Sequence, residues 1–177
     1  MIRNLIEALL KKPSTTKYPY EKIVVAEDFR GKPEIDFIQC MGCGACAQVC
    51  PSNAITIQDN QERGIRIWKI FYGRCILCGR CEEVCPIFAI KQTEEFELAA
   101  KKKEDLEHVI HFRLATCKEC GKYREVTKRE VMRVEVFLKR ALGELFEENL
   151  HLCRECKFRE TILSIAKATK PGIGEEK

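Results

Sequence analysis

Two cysteine quartets of identical spacing constrain this chain more than any other feature. Cys40, Cys43, Cys46 and Cys50 are followed by Pro51, and Cys75, Cys78, Cys81 and Cys85 by Pro86. Each quartet reads C-x2-C-x2-C-x3-C-P, a spacing in which three thiolates wrap one side of a [4Fe–4S] cubane and the fourth points away. In paired runs of this kind the fourth thiolate ligates the other cluster. The first cluster is therefore expected on Cys40, Cys43, Cys46 and Cys85, and the second on Cys75, Cys78, Cys81 and Cys50. Such crossing ties the two halves together and holds the clusters close, as electron transfer requires. A disulfide framework or a zinc module, the competing readings of a cysteine-rich chain, does not call for two complete quartets each closed by proline.

The remaining four cysteines form a different object. Cys117 and Cys120, followed by Gly121, make one C-x2-C knuckle, and Cys153 and Cys156 make another. Four thiolates are the tetrahedral set of a structural zinc site, and a mononuclear iron suits the same set. Four protein ligands leave no open position for a substrate, so the expected role is structural. His151 lies close enough to Cys153 to stand in for a ligand. His108, His111 and His151 form no catalytic set with one another, and no nucleophile elbow, phosphate loop or dinucleotide fingerprint is present. No catalytic centre is expected in this chain.

Composition agrees with a reduced compartment. The short N-terminal apolar stretch is interrupted by Arg3, Asn4 and Glu7 and lacks the pattern of a secretory leader. No apolar run is long enough to span a bilayer, and reduced thiols are what cluster assembly needs. The formal charge of +4 counts cysteines as neutral. Two clusters and one zinc, each with its four thiolates contributing about −2, bring the loaded chain to about −2. Net charge then gives no argument for a nucleic-acid partner, and Lys101, Lys102 and Lys103 read as a solvated helix face.

The chain divides into three. In residues 1–36, Ile2, Leu5, Ile6, Leu9 and Leu10 form an amphipathic stripe ended by Pro13, followed by an arm bearing Tyr18, Tyr20 and Phe29. The stripe lies either on this protein's own core or on a partner or membrane surface. The aromatics either anchor the arm on another surface or cover the cluster unit. Residues 37–92 form the two-cluster unit, with strands expected over 55–58 and 65–71 around a polar turn. Gly42, Gly44, Ala45 and Gly79 keep its loops narrow, and Ile38, Val49, Ile55, Ile76, Val84, Ile87 and Ile90 are expected to wrap the clusters. Residues 93–177 read as a helical extension, helical and then extended over 92–116. A Thr127/Glu130 capping box opens a long helix with Val131, Val134, Leu138, Ala141, Leu142 and Leu145 on one face. A last helix carries Phe158, Ile162, Leu163, Ile165 and Ala166 and ends near Pro171. The fold class is thus α+β: a two-[4Fe–4S] ferredoxin-like domain between an N-terminal helix with its arm and a helical extension. A four-cysteine metal site staples that extension by joining the starts of two helical regions.

Beyond the quartets, the chain carries Tyr18-Pro19, Phe29-Arg30-Gly31-Lys32-Pro33, Glu95-Phe96-Glu97-Leu98-Ala99 and Lys103-Glu104-Asp105-Leu106. Together these resemble the two-cluster ferredoxin subunit of respiratory complex I and of energy-converting [NiFe] hydrogenases. With the C-terminal knuckles, the chain is similar over most of its length to the corresponding subunit of formate hydrogenlyase. The resemblance implies a peripheral relay on the cytoplasmic face of the membrane. It would connect a formate dehydrogenase-like or ferredoxin-linked input module to hydrogenase small- and large-subunit-like proteins, with membrane-arm subunits near the N-terminal helix. Complex I-like or sulfur-reducing membrane oxidoreductases and a free soluble ferredoxin are the other settings that this reading leaves open.

Overall fold

In the computed structural model, which describes residues 2, 3, 6, 10, 15–21, 23–142 and 150–168, the cluster unit and the extension share one sheet. Strand β1 (Pro33–Ile35) pairs antiparallel with β4 (Ile90–Gln92), closing the ends of the two-quartet unit. Strands β2 (Ile55–Asn60) and β3 (Ile65–Phe71) form a hairpin, as β-branched and aromatic residues on either side of a polar turn dictate. Short helices α1 (Ala45–Gln48) and α2 (Arg80–Glu83) lie inside the quartets.

The extension is not simply helical. Residues 93–102 are irregular, Lys103–Leu106 is a 3-10 turn, and β5 (Glu107–Thr116) then pairs along the whole of β3. Lys101–103 are exposed, as expected, but on no α-helix. Strand β6 (Tyr123–Thr127) completes the order β2-β3-β5-β6. Residues 107–116 alternate along β5, with Phe112 and Leu114 inward, and the unsatisfied β3 edge recruits them into the sheet. Helices α3 (Lys128–Leu142) and α4 (Arg154–Ala168) follow. The capping hydroxyl of Thr127 accepts the Glu130 N–H at 3.0 Å.

The core is small. Ile35, Ile55, Trp68, Ile70, Ile90 and Phe112 are buried together, and Cys40, Cys46, Cys50, Cys81 and Cys85 pack against them. Ile55 and Ile90 meet the expectation, Val49, Val84 and Ile87 are half-buried, and Ile76 lines the cavity of Cys50, Cys75, Cys78 and Cys81 though 63% exposed, but Ile38 is 69% exposed. Asp36 Oδ1 accepts the Ile38 N–H at 2.8 Å, a turn that leaves this side chain outside. On α3, Val131 is buried and Leu138 half-buried, whereas Val134 and Ala141 are exposed, as are Met132, Val136 and Phe137. Among the described residues α3 packs mainly on β5 and β6, so most of its circumference has no cover from them. The side chains of Leu142 and Leu145, the end expected near Pro171, and all of the 1–12 stripe except Ile2, Arg3, Ile6 and Leu10 fall outside the described residues. These four are helical and exposed.

The arm lies partly on the chain itself. Tyr18 and Phe29 meet the Phe96 ring at centroid distances of 6.4 and 5.9 Å, and Tyr18 donates to Glu97 at 2.7 Å. Tyr20 and Val24 remain 93% and 94% exposed. No described helix is long and apolar enough to cross a membrane.

One buried charge organises the sheet. Asp59 and Arg66 face each other across the hairpin, and the guanidinium, 6% exposed, donates Nε–H and Nη2–H to the carboxylate at 2.7 Å each. Removing one partner of a buried pair strands the other charge. Asp59→Ala is therefore expected to cost about 3 kcal/mol or more, measured by urea unfolding of the metal-loaded chain.

Candidate metal centres

The two quartets fold as a structural repeat with a period of thirty-five residues. Positive φ recurs at matching positions: Gly42 (73°) and Leu77 (55°), Gly44 (86°) and Gly79 (79°), Asn53 (51°) and Phe88 (53°). Each quartet's last cysteine receives a backbone N–H from four residues on, Ala54 to Cys50 Sγ at 3.3 Å and Ala89 to Cys85 Sγ at 3.2 Å. The repeat brings the halves together so that one cavity is lined by Cys40, Cys43, Cys46 and Cys85. A second is lined by Cys50, Cys75, Cys78 and Cys81.

Both cavities fit a thiolate-held cluster in their donor chemistry, with four sulfurs each and N–H groups directed at them. The Trp68 indole N–H points at Cys46 Sγ (3.3 Å). The Gln92 amide donates to Cys81 Sγ (3.8 Å) and the Ser52 hydroxyl lies 3.6 Å from Cys50 Sγ. Burial pushes the Cys40 thiol up to about 11 and the Cys81 thiol up to about 12. For Cys50, burial also acts upward, but the Ile55 N–H, the Ser52 hydroxyl and the N–H groups of Ala54 and Ser52 outweigh it and hold the thiol below its ordinary value. Buried thiols are protonated at neutral pH, so metal must displace protons to enter.

Sequence reasoning did not single out Trp68, Gln92, Arg66 or Arg129, whose side chains reach a quartet sulfur or a loop carbonyl. Trp68 was legible as the one tryptophan on an alternating strand, but its target lies 22 residues away. A net hydrogen bond of about 1 kcal/mol corresponds to roughly 40 mV for one electron. Trp68→Phe is therefore expected to lower the potential of the cluster in the first cavity by tens of millivolts, in a redox titration followed by electron paramagnetic resonance.

The other four cysteines also converge. Cys117, Cys120, Cys153 and Cys156 place their sulfurs within 4.8 Å of one another. Cys120 Sγ and Cys153 Sγ are 3.7 Å apart, close to the edge of about 3.8 Å of a tetrahedron with Zn–S near 2.3 Å. The first knuckle is the β5–β6 turn, not a helix start: the Cys117 N–H donates to Lys122 O (2.9 Å) and the Gly121 N–H to Cys117 O (3.1 Å). Gly121 takes φ 68°, and a Cβ added to it would meet nothing within 4 Å, so glycine is favoured there by the left-handed backbone and not by packing. The second knuckle opens α4. The N–H of Cys120 foremost, against burial and with the N–H groups of Cys153 and Glu119, holds the Cys117 thiol down at about 6. His151 is not part of this group. Its ring faces Glu135 at 3.9 Å, and only its backbone carbonyl touches the knuckle, accepting the Lys118 N–H.

Comparison with known proteins agrees with this geometry. The 4Fe-4S dicluster domain family matches residues 39–89. Formate hydrogenlyase subunit 6 of Escherichia coli (strain K12) is 42% identical over 153 residues, covering 85% of this chain and 84% of that protein. NAD(P)H-quinone oxidoreductase subunit I of Prochlorococcus marinus (strain MIT 9303) is 41% identical over 105 residues, covering 56% of this chain. This chain spans about half the length of that relative, 48%. Among solved structures, a chain of the membrane-bound sulfane sulfur reductase, an archaeal respiratory membrane complex, shares 37% identity at a TM-score of 0.45, over 58% of this chain and 56% of that one. With two crossed cysteine cavities and a relative matched over most of both lengths, the chain belongs to the family of formate hydrogenlyase subunit 6, two-cluster ferredoxin subunits related to the quinone oxidoreductase subunit I proteins.

Proposed function

We propose that this chain is the electron-transfer subunit of a membrane-associated hydrogenase complex. In this reading it relays electrons through two [4Fe–4S] clusters between an input module, formate dehydrogenase-like or ferredoxin-linked, and the [NiFe] module. The observation that carries it is the convergence of eight cysteines into two four-sulfur cavities, within a chain matched to formate hydrogenlyase subunit 6 over 85% of its length. Cys40, Cys43, Cys46 and Cys85 hold the first cluster; Cys75, Cys78, Cys81 and Cys50 hold the second. Bound clusters supply one-electron redox chemistry. The protein's own groups exclude water, as Trp68, Ile55 and Ile90 do, and present N–H donors to sulfur. Cys117, Cys120, Cys153 and Cys156 hold a structural zinc or a mononuclear iron.

The three segments serve distinct ends in this reading. Residues 1–36 dock near membrane-arm subunits, 37–92 carry the clusters, and 93–177 support them. Exposed Tyr20 and Val24 on the arm, and Ile38 and Ile76 beside the two loops, offer apolar surface to hydrogenase small- and large-subunit-like neighbours and to an electron-input ferredoxin-like subunit. The complex is attached peripherally on the cytoplasmic face. The match to NAD(P)H-quinone oxidoreductase subunit I supports a complex I-like setting over 56% of this chain, and the knuckles favour the hydrogenase setting.

Anaerobic purification from the native host, through a C-terminal tag, tests this directly. Nickel and membrane polypeptides co-purifying with about eight irons for this chain's two clusters are the expected result. A lone monomer with those irons and no nickel would replace the relay with a soluble ferredoxin.

A further inference from the structure

The β6–α3 junction and one residue of β3 reach onto the loop that carries Cys40 and Cys43. Thr127 donates its hydroxyl to Met41 O. Arg129 Nη1 donates to Phe37 O and, at 3.2 Å, to Cys40 O. Arg66 Nη1 donates to Gly42 O at 2.9 Å, while its Nη2 is braced on Glu125 O at 2.8 Å and on Asp59. The carbonyls of Phe37, Cys40, Met41 and Gly42 are thus each taken by a side chain from outside the loop.

A trans peptide is planar, so the carbonyl of one residue and the N–H of the next point in opposite directions. Within one peptide, Thr127 therefore takes the Met41 carbonyl while the Gly42 N–H faces the other way, toward the cavity that Met41 and Gly42 help to line. The Gly42 N–H meets the Cys40 sulfur, and in the second loop the Leu77 N–H meets the Cys75 sulfur with no described side chain on the Ile76 carbonyl. The extension also packs directly on the first loop. A Cβ on Gly42 would lie 2.9 Å from the Phe112 ring and 3.1 Å from Thr127 Cγ2, and Arg129 sits 5.7 Å from the centroid of that ring.

The second loop is held differently. Thirty-five residues on from Gly42 stands Leu77, with a full side chain at φ 55°. Its outside support comes from the arm, Arg30 Nη1 donating to Cys78 O at 3.2 Å. Among the described residues no side chain donates to the carbonyls of Cys75, Ile76 or Leu77.

The geometry points to Thr127 and Arg129, with Arg66 behind them, as positioning residues that raise the reduction potential of the first cluster. This rests on the reading that the quartets hold [4Fe–4S] clusters. Oriented N–H groups and a nearby guanidinium both favour the reduced, more negative state. The C-terminal extension is then part of the electron-transfer apparatus as well as a structural appendage.

The test uses the full chain, loaded anaerobically with iron and sulfide and titrated under electron paramagnetic resonance. Cys46→Ser marks which reduction step belongs to the first cluster. Thr127→Val and Arg129→Gln are expected to move that step to lower potential and leave the other in place, with Arg129→Lys falling between. Both steps unmoved at full iron content would overturn the proposal, as would both moving together or both clusters being lost, since each of those marks a purely structural role. If the unaltered chain takes up no cluster, the two-cluster reading itself fails, and iron analysis of that sample shows it before any variant is compared.

Discussion

Cys85→Ser is expected to remove the cluster held by Cys40, Cys43 and Cys46, whose cysteines lie in the other quartet, and to spare the cluster of its own quartet. Iron content should fall from about eight to about four atoms per chain. Cys85 lines the cavity of the first three cysteines, and Cys50 lines that of Cys75, Cys78 and Cys81. Each of the two follows a short helix and precedes a proline, and each takes an N–H from four residues on. The swap is therefore symmetric, and Cys50→Ser should remove the second cluster. A serine hydroxyl is a poor cluster ligand at neutral pH, because it does not ionise as a thiol does. Trp68→Phe distinguishes the survivors. In the Cys50→Ser protein it should still shift the remaining signal, whereas in Cys85→Ser it should not. Loss of the Cys75–Cys81 cluster in Cys85→Ser would show that the quartets are not crossed.

The second large effect concerns the knuckles. Cys156→Ser is expected to abolish metal binding by the C-terminal set and to free α4 from the sheet, while the eight irons stay. Structural zinc sites of this type contribute roughly 10–16 kcal/mol of apparent binding energy at pH 7. Besides the thiols, exposed ion pairs tie the helix to the first knuckle, Arg159 to Glu119 at 2.6 Å and Lys122 to Glu155 at 3.6 Å. Cys117, Leu152 and Cys156 make a separate buried cluster with Cys153 packed on it, while Phe158, Ile162, Leu163 and Ile165 are largely exposed. Strand β5 is secured independently, paired with β3 from Ile65 to Phe71, so the cluster unit should survive. Metal analysis together with limited proteolysis checks this. New cleavage is expected after Leu152, and an unchanged cleavage map with unchanged zinc would mean that the four thiols do not hold the module.

Gly42 and Arg66 show why part of this molecule was readable and part was not. The quartets are local: a cubane needs three thiolates on one tight loop, each separated from the next by two residues, and that requirement is written in neighbouring letters. The Asp59–Arg66 pair lies within one hairpin, and its opposed charges could have been matched once the turn was placed. Gly42 reads only as a residue that eases the loop. That it must be glycine for packing depends on Phe112 and Thr127, which reach it when β5 and β6 join the sheet. Leu77, its counterpart in the repeat, shows that the positive φ alone does not demand it.

The extended run before the first knuckle was legible and is β5, but the helix expected ahead of it is irregular chain. The place of β5 in the sheet was not legible for a related reason. Residues 107–116 alternate, but a strand declares itself only when an edge is there to pair with, and the open edge of β3 belongs to another part of the chain. The apolar residues of α3 suggested a single packed face, whereas the helix rests on the sheet mainly through Val131 and Leu138.

The sequence by itself determined the donor chemistry: twelve cysteines in two quartets and two knuckles, with the spacing of a 4Fe-4S dicluster domain over residues 39–89. Ligand spacing and thiolate chemistry act over a few residues, so they survive without knowledge of the fold. Only the tertiary structure decided which groups surround those ligands. Trp68 reaches Cys46 across 22 residues, Thr127 reaches Met41 across 86, and Arg129 reaches Cys40 across 89. Such contacts depend on the register of strands that meet only after folding, and no local pattern in the chain encodes that register.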